Sequence, residues 1–541
     1  MEEGEGAPAE GSPLHLPPAG EGRRQGSNAH ADRVQKRKLA LARSGHWKDL
    51  PTNPDLLARL PPQEREAERA ALRLKPTRTL SGVSVVAVMT SPWRCPHGKC
   101  TYCPGGPELG TPQSYTGEEP SALRGAQFAY DPYRITQHRL QALEEIGHSV
   151  SKVEVILMGG TFSSRPSDWQ ESTIRRTFDA LNGEPAGPGA PSLEEAHRRN
   201  ETARSRCVGL TVETRPDQAS MEQLLQLVHW GVTRVEFGVE SLRDEVLDHV
   251  HRAHHVQDVL DATSRARELG LKVGYHLMPG LPGTDPAKDV EDLARLFRDP
   301  GLQPDMLKIY PCLVIAGTGL HEEWKAGRFE PYDAETAAEV IAKAKALLPR
   351  TVRIQRVQRD IPARLIAAGV RKSNLRQLAL QKLAAKGQSC PCLRCREIGR
   401  KAASRPGIRW GAERTEYPAA GGREVFFSLE DRETDALAGY LRLRFPRGDL
   451  PQGLHDPVIR ELKVLGTEVP VEGTAGSEGE VQHRGLGRRL VGLAEDEARA
   501  AGARRLFVIS AVGTRGYYAK LGFVPEGPWM AKPLPSGSAG S

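Results

Sequence analysis

No run of eighteen apolar residues occurs in this sequence of 541 residues, so nothing in it reads as a membrane-spanning helix. A secretory signal is missing too: the N-terminus opens on acidic residues, Gly and Pro, with no apolar core segment. Aromatic residues make up only 5% and hydrophobic residues 38%. Both figures are low, but a long chain can still build sizeable cores, and part of the deficit lies in Gly/Pro-rich stretches that cannot. Charge of one sign is also scarce, with a net balance of +7. Eight cysteines are present, six of them in two tight clusters, which is the pattern of metal sites and not of a disulfide framework. These features predict a reduced, cytoplasmic, soluble protein of three to four units.

The modest net charge hides an uneven distribution. Residues 371–405 carry Arg371, Lys372, Arg376, Lys382, Lys386, Arg394, Arg396, Arg400, Lys401 and Arg405 against Glu397 alone. A second basic stretch, 23–48, includes Arg33, Lys36, Arg37, Lys38, Arg43 and Lys48. Such runs are ordinarily solvated faces. Two of them in a nearly balanced chain also fit a polyanion partner, with nucleic acid first.

From residue 78 a βα rhythm sets in. Apolar runs at 83–89, 153–158, 207–212, 232–239, 273–278 and 306–310 read as six buried strands, with helical patterns such as 220–230 and 256–269 between them. That alternation predicts a parallel α/β barrel or partial barrel, with its chemistry at the carboxyl ends of the strands. Residues 183–191, rich in Gly and Pro, read as an inserted loop.

The first strand runs straight into Cys95-Pro96-His97-Gly98-Lys99-Cys100-Thr101-Tyr102-Cys103. Three thiolates this close can hold three irons of a 4Fe–4S cube, leaving the fourth iron open to the amino and carboxylate groups of a ligand such as S-adenosylmethionine. The alternative is a zinc knuckle, which wants a fourth Cys or His nearby; His97, inside the loop, suits that role poorly. A second trio, Cys390, Cys392 and Cys395, has spacing tight enough for one structural Zn²⁺, or is a coincidental set of thiols. Cys207 and Cys312 read as packing residues.

From about 415 a separate α/β pattern begins, with strand-like runs at 425–429, 438–444, 459–464 and 505–510. Gln482-His483-Arg484-Gly485-Leu486-Gly487 then opens a helix with the apolar stripe Leu490, Ala494, Ala498 and Ala501. Such a turn aims backbone N–H groups and the helix dipole at one point and can cradle a pyrophosphate. Tyr517 and Tyr518, followed by Gly522-Phe523, resemble the closing element of GNAT acetyltransferases, or are two core aromatics.

The three signatures together resemble the Elongator catalytic-subunit family, in its prokaryotic single-chain form. The resemblance rests on Arg78-Thr79-Leu80-Ser81-Gly82-Val83, Tyr102-Cys103-Pro104-Gly105-Gly106-Pro107 and Met158-Gly159-Gly160-Thr161-Phe162. It extends through Val212-Glu213-Thr214-Arg215-Pro216-Asp217, Leu307-Lys308-Ile309-Tyr310-Pro311 and Arg356-Val357-Gln358-Arg359-Asp360. It implies a disordered tail (1–28), a basic helical region (29–77), a radical S-adenosylmethionine partial barrel (78–360), a basic zinc-binding linker (361–414) and a GNAT acetyl-CoA-binding domain (415–541).

The implied activity is tRNA carboxymethyluridine synthesis. A 5′-deoxyadenosyl radical derived from S-adenosylmethionine and the co-substrate acetyl-CoA would install a carboxymethyl group on carbon 5 of the anticodon wobble uridine. By resemblance, Cys95, Cys100 and Cys103 hold the 4Fe–4S cluster, Gly159, Gly160 and Thr161 contact S-adenosylmethionine, and Cys390, Cys392 and Cys395 bind zinc. Lys152, Glu461, Leu462, Lys463, Val464, Val481, Gln482, His483, Gly485, Gly487 and Tyr518 match the acetyl-CoA site, with Lys152 and Tyr518 assigned to catalysis. Lys463 stands where relatives often carry histidine. Zinc has no evident fourth ligand in the sequence; Cys312 would serve only if the fold brought it near. The implied partners are tRNA and an electron-donor protein, without DNA or membrane. The competing activity is protein lysine acetylation on a degenerate radical platform, which would not need the intact cysteine triplet; a tRNA-binding scaffold would not need the acetyl-CoA turn.

Overall fold

The structure is a computed structural model that describes residues 35–36, 38–39, 42–43, 50–401, 408–448, 453–466, 482 and 485–535. The tail expected at 1–28, and with it Arg33, Arg37, Lys48, Arg405, Val481 and His483, lies outside the described residues.

Two units divide the chain. The smaller comprises Met1–Arg78 with Arg139–Val150. Its helices Asn53–Arg59 and Pro62–Leu72 start where the sequence dictates: Thr52 and Asp55 form a reciprocal capping box, and Pro62 takes the first helical position. Leu56, Leu57 and Leu72 form its buried contact, and the Asn53 amide donates to the Leu72 carbonyl at 3.0 Å.

The larger unit contains two seven-stranded sheets among the described residues. The first has strands β1 (Ser84–Met89), β2 (Lys152–Met158), β3 (Arg206–Thr214), β4 (Arg234–Glu240), β5 (Lys272–Leu277), β6 (Met306–Ile309) and, beyond a two-residue strand β7 (Val314–Ile315), β8 (Arg353–Arg356). They pair in parallel in the order β1-β2-β3-β4-β5-β6-β8, so β1 and β8 are edges and the barrel is partial, as expected. The six strands anticipated from apolar runs are all present. The seventh, β8, was not anticipated, because its sequence Arg-Ile-Gln-Arg carries no apolar run. A small antiparallel ribbon pairs β7 with β9 (Ile366–Ala368).

The second sheet runs β10 (Gly411–Ala419), β11 (Gly422–Asp431), β12 (Ala436–Phe445), β13 (Val458–Val464), β14 (Arg505–Val508), β15 (Val524–Glu526) and β16 (Trp529–Pro533), in the order β10-β11-β12-β13-β14-β16-β15. Only β13 and β14 pair in parallel, and only through Val458 and Ile459. Beyond those two rungs the strands part. The helix Leu486–Ala500 packs Leu490, Ala494 and Ala498 into the core of this domain, whereas Ala501, expected on the same stripe, follows the helix as its exposed cap.

Candidate active site

Strand polarity decides where the chemistry sits. The opening residues of β2 to β5, Lys152, Arg206, Arg234 and Lys272, all line a cavity of about 890 Å³. At the other ends of the same strands, Met158, Thr214, Glu240 and Met278 all line a second cavity of about 130 Å³. The larger cavity therefore lies at the barrel's lower mouth, against β13 and the Gly485–Gly487 turn, and the smaller one at its upper mouth, where parallel barrels carry their reactive groups.

Cys95 lines the upper cavity; Cys100 and Cys103 are buried beside it. The loop is shaped by backbone turns, with Gly98 N–H donating to Cys95 O and Cys103 N–H to Cys100 O, both at 3.0 Å. The sulfurs are surrounded by donors: Ser114 N–H lies 3.1 Å from Cys103 Sγ, Arg252 Nη1 3.9 Å from Cys100 Sγ, and the Thr161 hydroxyl 3.5 Å from Cys95 Sγ. Burial raises the Cys103 thiol pKa despite the Ser114 contacts that lower it, so the proton there would leave when a metal binds. Among the described residues the trio is not one of the groups compact enough for a single ion, as suits ligands spread over a multi-iron cluster. The residues thus fit the 4Fe–4S group. His97 turns Nε2 toward Cys100 Sγ at 3.2 Å and Nδ1 toward Arg215. Burial, with Arg215 and Arg252, pushes its pKa down to about 4. Gly160 and Thr161, at the end of β2, line the same cavity.

Below the cysteines the lumen is charged. Glu213, Glu236 and His276 bring three potential ligand atoms within 4.8 Å of one another, but the cation among them is Lys308. Its Nζ donates to Glu213 at 2.7 Å and pairs with Glu236, which also meets His276 Nε2 at 3.0 Å. Burial alone would raise the Glu236 carboxyl; Lys308, His276 and Arg234 together hold it well below the usual carboxylate range. Sequence reasoning did not assign these residues. The signal was there, in the Arg-x-Glu-x-Gly-x-Glu alternation of β4, which puts charge on one face of a strand expected to be buried.

The lower cavity gathers most of the residues matched to acetyl-CoA. Lys152, Glu461, Leu462, Lys463, Val464, Gln482, Gly485, Gly487 and Tyr518 line it together, with Arg206, Arg488 and Lys520 as further cations. Lys152 Nζ donates to Gln482 Oε1 at 2.8 Å, and Gln482 Nε2 to the carbonyls of Val464 (3.1 Å) and Gly82 (3.3 Å). Gly82 permits that approach: it sits at φ +83°, and a Cβ there would lie 2.0 Å from Gln482 Nε2. Lys463, in place of histidine, reaches Glu154 at 3.5 Å. Tyr518 is both a cavity wall and a core aromatic, edge-on to Phe523 at 5.7 Å, and burial raises its hydroxyl pKa. A Gly-rich turn and a large cavity lined by several cations suit a pyrophosphate-bearing thioester.

Cys390, Cys392 and Cys395 hold their sulfurs within 4.8 Å of one another, compact enough for one metal ion. Among the described residues no fourth Cys, His or carboxylate joins them. The fully buried Lys345 instead places Nζ 3.9 Å from Cys395 Sγ. Cys312 packs with Cys100, Tyr102 and Cys103, so it belongs beside the first cysteine loop and not the second. Like Cys207, it is buried.

The linker cations differ from the expected basic face. Arg396 is fully buried and paired with Glu430 and Asp435, Arg400 pairs with Glu397, Lys382 with Glu335 and Lys386 with Glu339. Lys372 is exposed.

Residues 92–297 match the Radical SAM superfamily, 304–385 the Radical SAM C-terminal domain and 404–523 the Acetyltransferase (GNAT) family. The chain is 45% identical to the tRNA uridine(34) acetyltransferase of Methanocaldococcus jannaschii over 497 residues, 90% of each chain. It is 43% identical to Elongator complex protein 3 of Danio rerio over 496 residues, 89% of each. Among solved structures, the archaeal Methanocaldococcus infernus Elp3 with its N-terminus deleted superposes with a TM-score of 0.74 at 40% identity, covering 84% of this chain and all of that one.

Proposed function

The chain belongs to the Elongator complex protein 3 family, and from that premise we propose that it is a tRNA uridine(34) acetyltransferase that carboxymethylates carbon 5 of the wobble uridine. It is an acyltransferase enzyme carrying radical S-adenosylmethionine and GNAT domains. The carrying observation is that the two cavities open at opposite mouths of one barrel, joined by shared strands. A protein lysine acetyltransferase would have no use for the intact three-cysteine loop at the upper mouth, and that reading finds no support.

When bound, the cluster and S-adenosylmethionine supply one-electron chemistry and acetyl-CoA supplies the two-carbon unit. Cys95, Cys100 and Cys103 would ligate three irons, and Gly160 and Thr161 would border the open site. Lys152 and Gln482 hold each other at the lower cavity, where they orient the thioester end, and the Gly485–Gly487 turn offers backbone N–H groups to the pyrophosphate. Tyr518, kept neutral by burial, can hold a proton at its hydroxyl on the wall of the same cavity. The cavity walls position the reactants. Zinc at Cys390, Cys392 and Cys395, tRNA binding, an electron-donor protein and a cytoplasmic setting complete the proposal; among the described residues no helix is long and apolar enough to cross a membrane.

The test is tRNA dependence. Thioester consumption should require tRNA with an unmodified wobble uridine, and digestion of that tRNA after incubation with S-adenosylmethionine and a reductant should release carboxymethyluridine. Brisk acetylation of lysine peptides, indifferent to tRNA, would sink the proposal.

A further inference from the structure

Barrel lumens are ordinarily filled with layers of bulky branched side chains. Here, on the inward face of β4, Arg234 is followed by Glu236, Gly238 and Glu240. Arg234 lines the lower cavity and the other three the upper one. Two residues of strand, roughly 7 Å, separate the two linings at this neck. On β5 the two linings are represented by Lys272 and His276, and on β3 by Thr211 and Glu213. Gly274, between them on β5, makes room for this filling: a Cβ there would stand 3.0 Å from Glu236 Cγ.

Arg234 is 3% exposed. Its Nη1 is bonded to Glu154; its Nε lies 3.2 Å from Glu236 as an ion pair without a hydrogen bond, and Nη2 is buried with no hydrogen-bond partner at all. A buried cationic N–H left without an acceptor is costly, and a ligand oxygen would remove that cost. The donor belongs to a residue that walls the lower cavity, two positions along β4 from Glu236 in the upper one.

We propose that Arg234 is the acyl-recognition residue of the lower cavity, its Nη2 receiving the carbonyl oxygen of a short acyl thioester and directing the acyl end into the barrel lumen toward the upper cavity. The inference rests on the acetyl-CoA reading of that cavity. It assigns the route between the two sites to the inside of the barrel: the acyl group need not leave the protein to reach the cysteine-bearing mouth.

The test compares ligands that differ only at the carbonyl. Full-length protein is titrated calorimetrically with acetyl-CoA, with S-ethyl-CoA, which lacks the oxygen, and with CoA. Wild type should prefer acetyl-CoA over S-ethyl-CoA by roughly tenfold or more, the worth of a charge-assisted hydrogen bond. Arg234→Met should erase the preference and leave CoA affinity within about twofold. The variant is expected to fold, because Glu154 keeps Lys463 and Glu236 keeps Lys308 and His276. Thr211→Leu, which narrows the neck without changing charge, should also erase it. In the infrared, the thioester carbonyl stretch of bound, carbonyl-labelled acetyl-CoA should lie lower in wild type than in Arg234→Met, with Arg234→Lys between. Equal wild-type affinities for acetyl-CoA and S-ethyl-CoA, with an unshifted carbonyl band, would overturn the assignment and leave the CoA cavity standing. Failure of CoA itself to bind would overturn both.

Discussion

Asp305 of the barrel and Arg460 of the C-terminal domain meet in a fully buried ion pair, with guanidinium nitrogens 2.7 and 3.0 Å from the two carboxylate oxygens. Around it, Arg267 donates to Glu424 at 2.7 Å, and Arg442 and Arg267 add charge to Asp305 at 3.4 and 3.5 Å. Burial alone would raise the Asp305 carboxyl; the three guanidinium groups hold it far below its usual range. Such a network contributes less to net stability than its number of contacts suggests, because every charge has been stripped of water. What it does fix is the angle between the barrel and β13, and hence the shape of the lower cavity.

Replacing Arg460 with Met should therefore destabilise the protein by about 3–5 kcal/mol, since Asp305 and Glu424 would remain buried with a cation removed. The double change Asp305→Asn with Arg460→Met should recover part of that loss. Urea denaturation of the four proteins in the cycle measures the coupling; purely additive losses would mean the pair acts independently.

The cysteine clusters should separate by metal. Cys95, Cys100 and Cys103 changed to Ala should abolish the iron chromophore of anaerobically reconstituted protein while about one zinc per chain stays bound. Cys390, Cys392 and Cys395 changed to Ala should do the reverse. Metal analysis and absorbance decide it, and zinc at both sites under strict anaerobic loading would remove the radical assignment.

Lys272 gives a pH signature. Burial, countered in part by Glu461, pushes its ammonium down to about 8. An unfolded lysine titrates near 10.4, so between these values the unfolded chain binds more protons and stability rises with pH. Below pH 8 the charged amine costs stability in the folded protein. Lys272→Met should thus gain on wild type at pH 7, on the order of 1–2 kcal/mol because the cavity admits some water, and lose most of that advantage by pH 10. Equal differences at both pH values would mean the amine titrates normally. Glu154, Glu461, Arg234 and Arg460 are the charged groups that set this value.

Much of this architecture was legible because β1 to β6 are apolar runs that only a buried parallel sheet accommodates, and because cysteine spacing carries its own chemistry. What stayed hidden depended on partners distant in sequence. Strand β8 has only Ile354 to bury, and Arg353 joins it through Glu397, a pairing no local pattern shows. The lumen charges lie on strands whose apolar residues dominated the reading, yet Lys308, Glu213 and Glu236 meet from three different strands. Cys312 reads as a packing residue, or as a fourth zinc ligand if the fold brought it near; the fold instead places it in the buried cluster of Cys100 and Cys103.

The basic linker shows most directly how burial overrules composition. Arg396 is as basic as Lys372 in the sequence, but it is fully buried with Glu430 and Asp435, whereas Lys372 is exposed. A cation already desolvated and paired cannot displace counterions from a phosphate; an exposed one can. Each phosphate contact contributes about 0.9 to the slope of log affinity against log salt for a duplex, and somewhat less for single strands. Lys372→Ala should therefore lower tRNA affinity and flatten the salt dependence by up to about one unit, with the melting temperature unchanged. Arg396→Met should leave the slope alone and lower stability by about 3 kcal/mol or more, because Glu430 would lose a buried partner. Filter binding across a salt series, paired with thermal denaturation of each variant, separates the two effects. A flattened slope for Arg396→Met at unchanged stability would mean that the buried guanidinium is released to RNA when the complex forms.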